Sequence, residues 1–310
     1  MVQTMIKKNS QWNNPMYRKR QIAGYLFAMP AILGFLVYVI TPMILSFYYS
    51  LTDFSVFKEE ISFLGLENYI KLFNGTDPFF YKSLKATFYF VILNVPVTII
   101  FAFFLAMLLN RNIKGRALFR GIFYMPSIVP VVASCMIWQY LFNPDLGLAN
   151  SILKAVGIPK QMWLYSEGSV IPTLVLTNLW NCGSTMVIFL AGLQNIPKHY
   201  YEAVEVDGGN SIHKLFYITV PMMTPVLFYN AIMCAISSFQ AFDKAYILTE
   251  GGPNNASLFF SYLIYREAFA NANMSVACAL GWVLFVITGV CSILLFATSG
   301  KWVYYEGGGN

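Results

Sequence analysis

Residues 201–221 read YEAVEVDGGNSIHKLFYITVP, and this stretch decides how the rest of the chain is organised. Glu202, Glu205 and Asp207 crowd its first half, Gly208 and Gly209 break it, and Ser211 restarts it. Just upstream, Pro197 suits the first turn of a short helix, because the N–H it lacks would have had no intrahelical partner there. Gly208 or Gly209 can close that helix in a left-handed conformation, and Asn210 or Ser211 can cap the next one. The pattern predicts a helix–turn–helix elbow over 197–214, outside a membrane and between two apolar runs. Such an elbow is more elaborate than a connector requires. It reads as a docking handle.

The flanking sequence sets the class. Of 310 residues, 57% are hydrophobic and 11% charged, with a mean hydropathy of +0.58, whereas a soluble domain carries about 25% charged residues. This composition belongs to a membrane protein. The net charge of +6 would point to nucleic acid in a soluble chain; here it reflects basic loops held on the cytoplasmic side. Cys135, Cys182, Cys234, Cys278 and Cys291 sit inside apolar runs with no CxxC pair. They behave as small hydrophobes and give no support to a disulfide framework or a metal site.

Charge-free runs occupy residues 21–50, 86–110, 121–143, 168–197, 215–242 and 268–300. Each reaches the roughly 20 residues that cross a hydrocarbon core. The first exceeds the apolar core of about 7–15 residues found in a secretory signal, so it is expected to be retained. The expected fold is therefore an all-α integral membrane domain of six transmembrane helices over 21–300. A basic tail (1–20) precedes it and a glycine-rich tail (301–310) follows. A β-barrel is disfavoured, because its strands are short and alternate in polarity.

The tail 1–20 carries five Lys/Arg and no acid, and the loop RNIKGRALFR (111–120) carries Arg111, Lys114, Arg116 and Arg120. The positive-inside rule places both in the cytoplasm. Six spans then return the C-terminus to the same side, with the elbow between helices four and five also cytoplasmic. Outside, LGLENYIKLF (64–73) reads as a short amphipathic helix and ILTEGGPNNAS (247–257) as a turn-rich segment. Three glycosylation triplets, at Asn74, Asn255 and Asn273, are of a kind that arises by chance and carry little weight.

The chemistry that the sequence excludes is informative. It contains no GxxxxGK[ST] loop, so no ATP site of the P-loop kind is expected. His199 and His213 lie at the elbow, away from any Ser or Cys nucleophile, and read as solvated loop histidines. All six spans can be drawn without an ionisable residue, which argues against a proton symporter, although backbone-coordinated sodium stays open. The spans instead hold amides and hydroxyls beside aromatics. Asn178, Trp180, Asn181, Ser184 and Thr185 lie in span four, and Asn230, Ser237, Ser238 and Gln240 in span five. Such residues also glue helices together. As a group they suit a neutral, hydroxyl-rich solute, whose C–H faces meet aromatic rings.

At the elbow the sequence resembles the permease subunits of binding-protein-dependent ABC importers. Their signature is Glu-Ala-Ala, three residues, Gly, nine residues, then Ile-x-Leu-Pro. Here it stands as Glu202-Ala203-Val204, then Gly208, then Ile218-Thr219-Val220-Pro221, with both spacings kept and Val204 and Val220 as the departures. FLGLENYIKLF, RALFRGIFYMPSIVP, IFLAGLQNIPKHYYEA, SSFQAFD, ILTEGGP and KWVYYE resemble the carbohydrate-uptake branch that includes maltose and oligosaccharide permeases. The resemblance covers about residues 22–306.

It implies that Glu202, Ala203, Val204, Asp207, Gly208 and Gly209 form a coupling helix seated in a cleft of a separate cytoplasmic ATPase dimer. That ATPase, and not this chain, would bind ATP and magnesium, so the chain itself would be no enzyme and need no cofactor. It further implies a second, different permease subunit, an extracytoplasmic solute-binding protein, and a place in the bacterial plasma (inner) membrane. Sugar-contacting positions of maltose-type permeases fall in a region that holds Gly183, Ser184, Thr185, Cys234, Ser238 and Phe242 here. The expected function is ATP-driven import of a carbohydrate, an oligosaccharide by this reading. Rival readings are a permease for glycerol phosphate or another polyol, an ATP-independent carrier, and a membrane transferase. A phosphate would want Arg or Lys facing the pathway, and none lies in the six runs; a transferase would need an acid, base or metal cluster, and none is evident.

Overall fold

A computed structural model describes residues 15–58, 60–112 and 114–304. The start of the basic tail, with Lys7 and Lys8, and the glycine-rich end from 305 fall outside the described residues. Among these residues every regular element is helical, and a single β-bridge pairs Thr52 with Phe63. Among the described residues four helices are long and apolar enough to cross a membrane unaided, and the number is six where each of two bent helix pairs counts as one span.

The first span is a rod. α1 (Pro15–Phe35) continues through a π-helical turn, Leu36–Ile40, into α2 (Thr41–Ser50). The helix therefore starts inside the expected basic tail, and Arg18–Arg20 belong to it. Its described side chains from 15 to 33 are exposed; only α2 meets the body, where the Phe47 and Trp282 rings lie 5.0 Å apart. From residue 21 to 50 the rod carries no charge, and such an exposed apolar surface suits hydrocarbon, where its backbone bonds are all internal.

α3 (Glu67–Phe73) forms where the amphipathic stretch predicts it. Its buried Asn68 donates to the carbonyls of Ser50 (2.9 Å) and Thr52 (2.8 Å), which ties α3 to the end of the first span.

α4 (Pro78–Asn110) is the mast of the fold and packs against the fourth and fifth spans. It begins at Pro78, not at residue 86, with Asp77 capping the Phe79 N–H at 2.8 Å. The charge-free rule misplaced this start because Lys82 and Lys85 lie exposed near the helix end, where long basic side chains reach water. Its buried residues recur at helical spacing, from Phe80 and Ser83 through Thr87, Phe90, Asn94 and Thr98 to Ala102, Leu105 and Leu109.

The third apolar run is not one straight span. α5 (Arg116–Tyr124) passes through a 3₁₀ turn, Met125–Ile128, and meets α6 (Val131–Leu141) at 100°. Pro130, with φ −54° and ψ 137°, breaks the ladder, since proline brings no N–H and forces the preceding residue out of the helical region. The fourth run is likewise divided, into α8 (Val170–Trp180) and α9 (Gly183–Gln194) at 54°, after a short α7 (Leu148–Ala155).

α10 (Lys198–Val206) and α11 (Ser211–His213) make the elbow. α11 runs through a π-helical stretch, Lys214–Thr219, into α12 (Val220–Phe239), the fifth span. A π-helical Ala245–Thr249 and α13 (Phe260–Tyr265) precede the sixth span, α14 (Met274–Ser299). The chain does not trail away directly after it: Val303 is buried, the Tyr304 N–H donates to Thr224 Oγ1 at 2.8 Å, and the Trp302 ring packs edge-on to Phe228. The tail expected from 301 is thus docked on α12 as far as 304.

Apolar clusters flank the middle of α4. One gathers Ala86 and Phe90 with Cys135, Leu174 and Phe259. The other gathers Ala102, Leu105 and Ala106 with Met186, Phe189 and Met223. Between them, over twelve residues or roughly 18 Å of helix, lie the buried Asn94 and Thr98.

Candidate functional site

A cavity of about 490 Å³ opens on that polar belt. α4 contributes Phe90, Asn94 and Thr98, the α8–α9 break contributes Asn178, Asn181, Ser184 and Thr185, and α12 contributes Tyr229, Asn230, Cys234 and Ser238. At this 54° bend Asn178 lies in the last turn of α8, Asn181 in the link, and Ser184 and Thr185 in the first turn of α9.

A single hydrogen-bonded network lines the space. Asn94 Nδ2 donates to Ser238 Oγ (2.8 Å), while its Oδ1 accepts from Asn178 Nδ2 (2.9 Å) and Thr98 Oγ1 (3.3 Å). Ser238 Oγ donates to the Cys234 carbonyl one turn earlier, at 2.6 Å. At the far end Lys244 Nζ donates to Thr177 Oγ1 (3.1 Å) and to Asn178 Oδ1. Asn181 Oδ1 is buried and has no protein partner among the described residues. An unsatisfied buried acceptor is costly, and a ligand hydroxyl would relieve it.

Ser184, Thr185, Cys234 and Ser238 from the resemblance share this cavity, whereas Gly183 and Phe242 do not line it. A Cβ at Gly183 would stand 2.6 Å from the Phe123 carbonyl and 2.8 Å from Tyr124 Cα, so this glycine lets α9 close on α5. Phe242 turns into a cluster with Tyr246, Tyr262 and Tyr265, ring centroids 5.1–6.1 Å away. Trp180 packs edge-on to Trp138 at 5.6 Å, also away from the cavity.

Among the lining residues that escaped the sequence reading, Asn94, Thr98 and Lys244 carry the network. Asn94 and Thr98 are i, i+4 on the buried stripe of span two, a spacing that places them on one face; that stripe was the available signal. Lys244 lies two residues beyond the fifth apolar run, outside the polar residues grouped in the spans. Folding returns it to the cavity.

The elbow presents a different surface. α10 ends at Gly208, whose φ of +76° favours a residue without a side chain. At Gly209 a Cβ would fall 2.4 Å from Val204 Cγ1. Asn210 Oδ1 accepts from the Ile212 and His213 N–H groups, both at 3.0 Å, and His213 Nδ1 returns to the Asn210 N–H. Pro197 stands just before α10, not within its first turn. Glu205 pairs with Lys214 across the bend, and Tyr201 reaches Thr219 at 3.1 Å. Glu202, Ala203, Asp207 and Gly208 are exposed, Val204 and Gly209 half-buried. Val206 is 87% exposed and Ile212 64%, apolar groups offered outward on an otherwise polar element.

This arrangement, with broken helices around a polar cavity and a capped elbow outside the spans, defines a solute permease. Residues 95–305 match the family described as binding-protein-dependent transport system inner membrane component, and the chain belongs to that family of multi-pass membrane proteins. It is 42% identical over 293 residues to the probable ABC transporter permease protein YesP of Bacillus subtilis, covering 93% of this chain and 94% of that one. It is 33% identical over 301 residues to the arabinooligosaccharides transport system permease protein AraP of the same organism (95% and 93%). The trehalose/maltose transport system permease protein MalF of Thermococcus litoralis is 33% identical over 251 residues (81% and 84%). In fold, a chain of a bacterial ABC transporter involved in the import of the acidic polysaccharide alginate superposes with a TM-score of 0.80 at 21% identity (93% and 99%). A chain of a bacterial alginate ABC transporter crystallised with an alginate pentasaccharide-bound periplasmic protein gives 0.79 at 22% (91% and 95%).

Proposed function

We propose that this chain forms one half of the translocation pathway of an ATP-driven importer for a carbohydrate, an oligosaccharide delivered by an extracytoplasmic binding protein. The observation that carries the reading is the cavity itself. Amides and hydroxyls from three spans converge there beside Phe90 and Tyr229, which matches a solute with many hydroxyls and apolar C–H faces. Relatives whose names specify arabinooligosaccharides and trehalose/maltose support the same substrate class.

Energy enters elsewhere. Glu202, Ala203, Val204, Asp207, Gly208 and Gly209 present the elbow to a cytoplasmic ATPase dimer that holds ATP and magnesium. Closure of the dimer pushes α10 and rocks the spans between inward- and outward-facing forms. The exposed Val206 and Ile212 support a protein partner at this surface, because isolated apolar side chains on a polar element gain free energy when covered. A second, different permease completes the pathway, and the elbow and both termini face the cytoplasm.

Gentle purification from the native membrane, followed by mass spectrometry of co-purifying chains, tests the assembly. An ATPase and a second permease are expected with the wild type, and the ATPase is expected to disappear from a Glu202→Lys/Gly208→Pro variant. A chain that purifies alone and moves solute without ATP would replace this reading with a secondary carrier.

A further inference from the structure

Two charged residues line the cavity, and a neutral sugar does not explain the one held in its wall. Among its lining residues only Lys244 and Asp243 carry charge. Asp243 is exposed to solvent, whereas the Lys244 side chain is drawn into the wall, donating to Thr177 Oγ1 at 3.1 Å and to Asn178 Oδ1. No carboxylate lies within 4.0 Å of its ammonium among the described residues; the ion pairs present join other residues. A half-buried ammonium met only by neutral oxygens is a poor arrangement, and an anion would improve it. Asn178 also joins Lys244 to Asn94 and Ser238, so the charge is wired into the lining of the pathway.

Resting on the carbohydrate-import reading, we propose that the substrate carries a carboxylate, as a uronate-containing oligosaccharide does, and that Lys244 receives it. A single ammonium among amides and hydroxyls, with the other charged lining residue, Asp243, exposed to solvent, matches a monovalent carboxylate surrounded by sugar hydroxyls. A phosphate dianion calls for the guanidinium fork or several cations, and the cavity offers neither.

The competing role for Lys244 is a strap. Thr177 and Asn178 lie in the last turn of α8, where a cation also meets helix carbonyls favourably. The two roles differ in what they predict for substrate discrimination.

The complete importer, with its binding protein held constant, is reconstituted in ATP-loaded vesicles. It is offered labelled di- and trisaccharides of galacturonate, glucuronate and mannuronate, their methyl esters, neutral counterparts, and sugar phosphates. The wild type should take up at least one acidic saccharide in preference to its methyl ester. Lys244→Met should raise the KM for the acid by about tenfold or more, and Lys244→Arg should restore part of the loss. ATPase co-purification and melting temperature should hold in both variants.

Wild-type uptake of neutral saccharides or sugar phosphates alone would overturn the carboxylate assignment and leave the importer reading standing. So would Lys244→Met transport of the acid at the wild-type KM. A Lys244→Met variant that melts lower and loses acidic and neutral uptake equally would make the lysine a strap. Failure to move any saccharide would remove the carbohydrate reading and this inference with it.

Discussion

The elbow and the cavity are built by opposite means. At the elbow, each determining contact joins residues close in the chain: Gly208 turns the backbone, Gly209 admits Val204, and Asn210 caps Ile212 and His213. In the cavity, Asn94 meets residues from 84 to 144 positions away in Asn178 and Ser238. The elbow shows outward what it is for, while the cavity encloses it. On the proposed mechanism, local chemistry suits a part that keeps its shape while a partner pushes it, and convergence of distant spans suits a part that opens and closes.

This contrast can be broken or sharpened by substitution. The largest effect is expected at the elbow. Gly208→Pro places a residue fixed near φ −65° where φ is +76° and removes the N–H that bonds the Glu205 carbonyl at 3.0 Å. Uptake in vesicles should fall to background while the chain still inserts in normal amount, and Glu202→Lys should act in the same direction. Normal uptake by both variants would end the coupling role.

Ser184→Trp comes next. Ser184 is exposed on the cavity wall, so an indole there should fill the space and cut uptake by about tenfold or more, with ATPase association intact. Unchanged uptake would take the α8–α9 break out of the pathway.

A smaller effect, on stability, separates the two regions more finely. Asn94→Ala strips Ser238, Asn178 and Thr98 of a shared partner, and unpaired buried groups cost about 1–3 kcal/mol each. Detergent-solubilised protein should melt measurably lower; a melting temperature equal to wild type would mean that the network contributes little. Asn210→Ala should cost the least, about 1 kcal/mol for a lost helix cap. Its signature should be faster amide exchange confined to residues near 211–214, and exchange spreading into α12 would show that the elbow is not the local unit described here.

Legibility in the sequence follows the same division. Glycine and asparagine at 208–210 carried turn and cap in their own chemistry, and charge-free runs carried the spans, because both effects act over a few residues. The 100° bend at Pro130 was marked by prolines but hidden by a run that stayed apolar throughout. Gly183 and Phe242 stood in the right region, and only packing showed that one serves the α9–α5 approach and the other an aromatic cluster. Asn94 and Thr98 gave a helical stripe with no indication of what it faced.

By itself, then, the sequence determined a six-run membrane chain with a capped elbow, since hydropathy, charge asymmetry and turn chemistry are local properties of residues. Tertiary structure alone decided that spans three and four are broken, that the polar belt lies between two apolar clusters, and that Lys244 enters the cavity. Those outcomes depend on which distant side chains meet, and an unpaired ammonium or amide is recognisable only once its neighbours are in place.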